Sequence, residues 1–387
     1  MTSTTLQHRA CVALFTALLA ASAENCRAAE AAGKTEHETL IRELGDTDFS
    51  VREKAADSLA SQGMAAETAL REAMRDPDLE IRLRAGEILS RIYNDDLDRR
   101  LTEFINSKDE ELGKRLAGWK QFRAAVGDDK PSRELFVEVY RSEKDLLTAV
   151  DLPRDKRESV FLARVERVQQ ALYAHLNGVR TPPTPETMAA LLLIAAQQEG
   201  NASIHAGIQT YSMLSQPDVK KVVTEGDHSA QLQKLLGAWV GQSIKSTSIA
   251  RYGLMIALQY ELKDSTRDLA RQLLAEKNAS TSVLPYAALA IGKYGDESDI
   301  ARLEPLLENK TVCHTWHNGK FPDTIKIEVR DVALAVLVEL TEQDHKQYGF
   351  ELLQRNDPTL FQIYTCGFIQ NEKREAAVAK WRKWRSS

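Results

Sequence analysis

One short stretch of the sequence, Thr311 to Ile327, gathers the residue types that are most able to do chemistry. Cys313, His314 and His317 are soft ligands of the kind that bind zinc, and Trp316 lies between the two histidines. The same stretch could instead pack on the fold, or it could contact a partner through His314, Trp316 and His317. The pattern favours packing, and partner contact is the stronger of the two functional interpretations.

A metal site in this stretch would need a fourth ligand from elsewhere in the chain. Cys366, His345 or Asp323 could supply it in space, but no second C-x-x-C-like half accompanies the first group. Cys313 and Cys366 could also pair as a disulfide in an oxidising compartment, which would leave Cys26 near the N-terminus without a partner. We therefore expect no metal and no cofactor.

The signatures of common enzymes are missing from the sequence. There is no G-x-S-x-G, no H-E-x-x-H, no phosphate-binding loop and no dinucleotide fingerprint. The net charge of −5 gives no general attraction to nucleic acid. The sequence therefore predicts a protein that is not an enzyme, has no catalytic residues and does not bind nucleic acid.

The first residues have the pattern of a secretory signal peptide. Arg9 precedes an uncharged run from Ala10 to Ala23, and this run ends in the small residues Ala21-Ser22-Ala23. The run is too short to cross a bilayer, and no later segment is long enough either. We expect residues 1–23 to be removed and the mature protein to be exported to the periplasm or the extracellular space, without a membrane span.

The elements around these residues are mostly helical. The nonamers VREKAADSL (from Val51) and IRLRAGEIL (from Ile81) share one frame, and VRDVALAVL (from Val329) repeats it. Offsets 0, 4 and 8 return to one face of a helix. Ser50 with Glu53 has the form of a capping box before the first nonamer, and Asp76-Pro77 predicts a cap before the second.

The frame also resembles a known family. DTDFSVREKA and DPDLEIRLRA (from Asp46 and Asp76) are similar to HEAT repeats, specifically to the short type found in phycobilin-lyase-like proteins. The passage ALAIGKYGDESDIARLEPLL (from Ala288) resembles the helix–Gly-Asp–helix part of such a repeat. The resemblance implies an all-α fold: an irregular right-handed α-solenoid of HEAT-like helical hairpins.

The sequence also predicts where the helical regions begin and end, and it predicts one β excursion between helices. We predict N-terminal repeats over residues 35–93, an irregular helical region over 94–245, and C-terminal repeats with a closing helix over 246–387. Asn318-Gly319 is a strong hairpin signal, with alternating residues on both sides, so one short β-like excursion is expected near 312–327.

Two further groups of residues have predicted roles. The arginines that follow the β-branched residue, Arg52, Arg82 and Arg330, are expected to bond to an Asp or a carbonyl of the adjacent repeat. The C-terminal segment 371–385 has six basic and two acidic residues and places Trp381 and Trp384 on one helical face. Its tryptophans are expected to close the array, with partner contact as the alternative.

These expectations define a non-enzymatic exported scaffold that binds an unidentified protein or peptide and can act as a monomer. The alternative is a metal-binding protein or enzyme centred on residues 313–317. A chromophore lyase, which the resemblance also brings into view, is third because the matched units before Cys313 contain no cysteine.

Overall fold

The computed structural model describes residues 36–107, 109–173, 180–197, 204–243, 245–246, 249–276, 279–317 and 324–387. These residues are predominantly helical, with two small antiparallel sheets, and the predicted all-α architecture with a short β excursion is confirmed. They divide into two compact units, one that ends at residue 107 and one that begins at Asp109. No helix of the described residues is both long and apolar enough to cross a membrane.

The N-terminal unit consists of helices joined by short turns. They are α1 (36–43), α2 (Phe49–Ser61), a 3₁₀ turn (Gly63–Ala66), α3 (Glu67–Ala73) and α4 (Leu79–Asn106). The chain turns away from the direction of α2 at Gly63, whose φ of +59° is a backbone conformation that favours glycine. The predicted boundary after residue 93 lies within α4.

The nonamer frame forms the core of this unit. Ala55 and Leu59 of the first nonamer, and Ala85 and Leu89 of the second, are buried in one cluster. The alanines leave room for the neighbouring helix, while the leucines fill the space between helices. The apolar stripe that the spacing predicts is therefore the stripe that the fold buries.

The predicted helix caps are wrong by two positions. Asp48, not Ser50, is the N-cap of α2, and its Oδ1 accepts the Ser50 N–H at 2.7 Å. Asp78, not Asp76, caps α4 in the same way. In each Asp-x-Asp, the first aspartate closes the turn and the second caps the helix.

The arginines of the frame hold these turns together. Arg52 Nη1 donates to the carbonyl oxygen of Asp46 at 2.6 Å, and Arg82 Nη1 donates to that of Asp76 at 2.7 Å. Each arginine thus bonds to the turn before its own helix. The sequence had instead predicted a bond to the adjacent repeat. The closest ion pair between the two repeats joins Arg84 Nη1 to Glu53 at 2.7 Å, and Arg52 approaches the next repeat only at 3.6 Å.

The C-terminal unit begins with a series of short helices and continues with longer ones. Its helices are α5 (Glu110–Lys114), α6 (Trp119–Val126), α7 (Lys130–Ser142), α8 (Lys144–Ala149), α9 (Arg154–Tyr173), α10 (Pro185–Ala196), α11 (Ile204–Leu214), α12 (Pro217–Thr224), α13 (Ser229–Ser243), α14 (Ala250–Gln259), α15 (Lys263–Ala275), α16 (Leu284–Tyr294), α17 (Ile300–Leu303), α18 (Val329–Leu340) and α19 (Asn371–Arg385).

Most of these helices belong to two layers. Helices α9, α11, α14, α16 and α18 pack successively against one another, and α10, α13, α15 and α17 form the second layer. Contacts such as those of α15 with α16 join the layers. The apolar side chains between them form the core, which α18 enters along almost its whole length.

The predicted β excursion leaves the layers between α17 and α18. Strand β1 (Val312–Trp316) pairs antiparallel with β2 (Ile325–Glu328), with an irregularity between Val312 and His314. Ile325 and Ile327 of β2 are buried, as the alternation predicts. The turn at Asn318-Gly319 lies outside the described residues, as do the predicted signal peptide and Cys26. A second small sheet joins β3 (Arg355–Asn356) to β4 (Leu360–Phe361).

The closing helix is held to α18 by a buried ionic network. Arg374 of α19 donates from Nε to Asp331 Oδ1 at 2.7 Å and from Nη2 to the Lys326 carbonyl oxygen at 2.8 Å. Arg330, the third arginine of the frame, pairs with Glu328 at 2.6 Å and with Glu375 of α19 at 3.0 Å. Arg330 therefore ties α18 to the last helix of the unit.

Candidate partner-binding surface

The predicted contact residues of β1 lie beside one tyrosine of the C-terminal segment. His314 is exposed and Trp316 is half-buried against the edge of the core. The ring centroid of Tyr364 is 5.2 Å from that of Trp316 and 6.0 Å from that of His314. His317, directly after the strand, is exposed. The structure thus brings Trp316 and His314 together on an aromatic surface. The sequence predicted these two residues but not Tyr364.

The two tryptophans of α19 have different environments. Trp381 is 1% exposed and belongs to the core, so it offers no surface to a partner, whereas Trp384 is 44% exposed. Their ring centroids are 5.1 Å apart. Arg382 and Arg385 of the same helix pair with Glu308 and Glu304. The helix therefore closes the array, as expected, and the predicted contact role of Trp381 is wrong because the residue is buried.

The two cysteines of this region are free, so the predicted disulfide is not formed in the structure. The Cys313 thiol lies 3.4 Å from the Ile327 carbonyl oxygen, and Cys366 is fully buried. Burial raises the pKa of Cys313 to about 12 and raises that of Cys366 well above its usual value. Both side chains are thiols at neutral pH, a form that neither attacks nor binds a metal well.

The described residues do not assemble a metal site at β1. Among the described residues, no three His, Cys, Asp or Glu side chains are arranged to hold a metal ion. His345 is 2.8 Å from the Ala335 carbonyl oxygen through Nε2, and Asp323 lies outside the described residues.

The aromatic surface continues over the layer of α11, α14 and α16. The rings of Tyr211 and Tyr252 are 5.0 Å apart between centroids. Burial raises the pKa of Tyr286 of α16, and the nearby hydroxyl groups of Tyr211 and Tyr252 raise it further. All of these side chains are partly exposed. We call Tyr211, Tyr252, Tyr286, Tyr364 and Trp316 the aromatic belt.

A cavity lies within the belt, between Tyr286 and Tyr364. Its volume is about 290 Å³, and Met255, Leu289, Phe361 and Ile363 form much of its apolar lining. Asn356, Thr359 and Gln362 add polar groups at the same cavity. An apolar pocket with a few polar groups is the usual form of a binding site for a small ligand or a single side chain.

Arg251 is a cation beside the belt, in contact with Tyr252. Its guanidinium lies 4.6 Å from the ring centroid of Tyr252, and Nη2 donates to the Tyr252 hydroxyl at 2.6 Å. Arg251 also lowers the pKa of Tyr286, although burial outweighs it. The belt and Arg251 together offer large apolar faces, hydroxyl groups and a positive charge, and Tyr, Trp and Arg are the residues enriched at the energetic centres of protein interfaces.

The tyrosines were missed by sequence reasoning, although a signal for two of them is present. Tyr252 with Tyr260, and Tyr286 with Tyr294, repeat a Y-x₇-Y frame. The second tyrosine of the first pair is buried, and its hydroxyl donates to the Leu214 carbonyl oxygen at 2.8 Å. The first tyrosine of each pair belongs to the belt. Only the packing of α11, α14 and α16 reveals that these positions meet.

The N-terminal unit has a wider groove of a different character. It encloses about 1050 Å³ between α1 and α3, and its lining includes His37, Glu38, Arg42, Glu72 and Asp76. The groove has charges of both signs, and no Tyr, Trp or Phe is among the described residues that line it. It lacks the large aromatic anchors of the belt.

The comparison with protein families agrees with the geometry of the N-terminal unit. Residues 37–119 match the family described as HEAT repeats. This part of the chain is therefore similar to HEAT repeats. The later passages that resemble such repeats lie outside the matched range. A search of curated proteins finds no match to this chain.

Proposed function

We propose that this protein is a non-enzymatic exported scaffold that binds a protein or peptide partner through the aromatic belt. HEAT repeats commonly serve as scaffolds for protein interaction, which supports the class of function. The partner is expected to be extended, because the belt runs over several successive helices.

The belt itself is the observation that supports this site. Partly exposed aromatic side chains that lie side by side supply the large apolar contact area on which binding energy concentrates. The chain is poor in aromatics, at 6%, and yet four of its ten tyrosines meet here. Their rings are partly exposed, whereas that of Trp381 is buried.

The proposal that the protein is exported has separate support. The uncharged run Ala10–Ala23 and its small-residue end fit removal by a signal peptidase. Mass spectrometry of the protein from its own host would test this proposal. We expect cleavage after Ala23, so that the mature chain begins at Glu24. Recovery of a protein that keeps residues 1–23 would contradict it.

Site-specific photocrosslinking tests the site. A photoreactive phenylalanine analogue would replace Tyr364 in one protein and Trp384, the exposed aromatic of α19, in another. We expect the probe at 364 to crosslink a defined partner from the host envelope, and we expect the probe at 384 to crosslink little or none of it. The reverse pattern would move the site to α19, and crosslinks at neither position would contradict the proposal.

A further inference from the structure

Arg251 lacks the acidic partner that several other partly buried arginines of the C-terminal unit have. Arg271, for example, donates to both carboxylate oxygens of Asp299 at 2.8 Å. Among the described residues, no carboxylate pairs with Arg251, whose polar contact is the hydroxyl of Tyr252. A guanidinium has five N–H donors, and most of those of Arg251 have no acceptor within the described part of the chain.

The 290 Å³ cavity lies near Arg251, because one helix, α14, contributes to both. Met255 lies one turn after Arg251 in α14, on the same side of that helix, and it lines the 290 Å³ cavity together with Tyr286. A ligand that reaches from Arg251 along α14 to Met255 would therefore enter a pocket that Leu289 and Phe361 also line. The site offers one cationic point beside one apolar pocket.

We propose that the belt binds a peptide segment in which a carboxylate stands next to an apolar side chain. This inference rests on the proposed function and names the chemistry of its ligand. The carboxylate bonds to the guanidinium of Arg251, and the apolar side chain fills the cavity between Tyr286 and Tyr364. An arginine is suited to this role because its planar donors match the two oxygens of a carboxylate.

The charges of the surface favour a peptide over a nucleic acid. A nucleic acid needs several cations along its backbone, whereas, among the described residues, Arg251 is the only Lys or Arg that hydrogen-bonds to or stacks on a ring of the belt. The carboxylate could be the C-terminus of a peptide or the side chain of Asp or Glu. Both have the same chemistry at Arg251, and matched probes separate them.

The test compares two small probes on the full chain by saturation-transfer NMR titration. N-acetyl-L-phenylalanine has the carboxylate and an apolar side chain, while N-acetyl-L-phenylalanine amide has only the side chain. We expect the acid to bind about fivefold more tightly than the amide, as a partly exposed ion pair gives up to about 1 kcal/mol. A third probe, N-acetyl-Glu-Phe amide, has a side-chain carboxylate and no C-terminal one. Tighter binding of this probe than of the acid would identify an Asp or Glu side chain as the source of the carboxylate, and weaker binding would identify a peptide C-terminus.

Variants assign the effect to its residue. Arg251→Gln should abolish the preference for the acid and keep the binding of the amide, and Arg251→Lys should keep part of the preference. Arg99→Gln, which removes an exposed arginine of the N-terminal unit, should change neither. Each variant is accepted only if it melts like the wild type.

Equal binding of acid and amide to the wild type would overturn the inference, as would an acid preference that survives in Arg251→Gln. Failure of all probes to bind at millimolar concentration would overturn it as well. The proposed function would stand in any of these cases if the probe at position 364 still crosslinked its partner. Loss of that crosslink would remove both proposals together.

Discussion

The Asp331 carboxylate and the Arg374 guanidinium are buried together, with Arg374 Nε 2.7 Å from Asp331 Oδ1. Burial raises the pKa of Asp331 from 3.8 to about 6, even though Arg374 acts to lower it. Glu328 and the thiols of Cys313 and Cys366 also lie near this carboxylate. Burial therefore disfavours the charged form of Asp331, and the ion pair with Arg374 offsets only part of this free-energy cost.

This relationship predicts an unusual dependence of stability on pH. A raised folded pKa means that the contribution of Asp331 is fully present below pH 3.8 and is lost as the pH rises through about 6. The loss is about 3 kcal/mol for a shift of this size. We expect the stability difference between the wild type and Asp331→Asn to fall as the pH rises from about 4 to 6.

Urea unfolding followed by tryptophan fluorescence can measure this difference, because all five tryptophans lie in the C-terminal unit. Asp48→Asn is a control of opposite sign. The backbone N–H of Ser50 lowers the pKa of Asp48, so its contribution is present at neutral pH and is lost on acidification. This control needs circular dichroism, since Asp48 lies in the N-terminal unit. An Asp331→Asn difference that does not change with pH would contradict the prediction.

The corrected helix caps make a second prediction. Asp78→Ala should destabilise the N-terminal turn of α4 by about 1 kcal/mol, because an N-cap side chain satisfies a free N–H group. Asp48→Ala should likewise destabilise the start of α2. Ser50→Ala should act less, since Ser50 donates its backbone N–H to the cap. Hydrogen exchange of the amides of residues 49–61 and 79–106 measures both effects. Greater loss of protection in Ser50→Ala than in Asp48→Ala would restore the cap predicted from sequence.

The sequence determines those features that depend on one element at a time. Ala55 and Leu59 could be placed in the core because helical spacing alone puts them on one face. Pro185 is the first residue of α10, a position at which proline is itself a sequence signal for the start of a helix. The cap of α2 could not be chosen in this way, because the aspartates and the serine before it compete for the same N–H groups.

The candidate site depends on contacts between distant elements. Tyr211, Tyr252 and Tyr286 come from three different helices and Tyr364 from a 3₁₀ turn, and each alone looks like an ordinary residue of its element. Their meeting follows from the order in which the helices pack, which periodicity within one helix does not reveal. The loop with Trp316 was found because its length and composition differ from those of its neighbours.

The thiols give a third prediction. Native Cys313 should react with iodoacetamide at pH 8 far more slowly than the same residue in urea, because a pKa of about 12 leaves very little thiolate. Cys366 should react more slowly still, since it is fully buried. Mass spectrometry after timed quenching measures both residues in one sample. Rapid native labelling of Cys313 would show an ionised thiol and would reopen the hypothesis of a metal site at residues 313–317.

The last prediction compares two tryptophans in one unit. Trp381 is almost fully buried, so Trp381→Ala should cost about 3–5 kcal/mol, as removal of a large core aromatic does. Trp316 is half-buried beside Tyr364, so Trp316→Ala should cost less, about 1–2 kcal/mol, and should leave a folded protein. The folded Trp316→Ala protein should nevertheless lose most of its partner binding, because Trp316 and Tyr364 form one end of the belt. Urea unfolding followed by circular dichroism gives the stability, and crosslinking from position 364 gives the binding. If Trp316→Ala is as destabilised as Trp381→Ala, then Trp316 is a core residue and the belt ends at Tyr364.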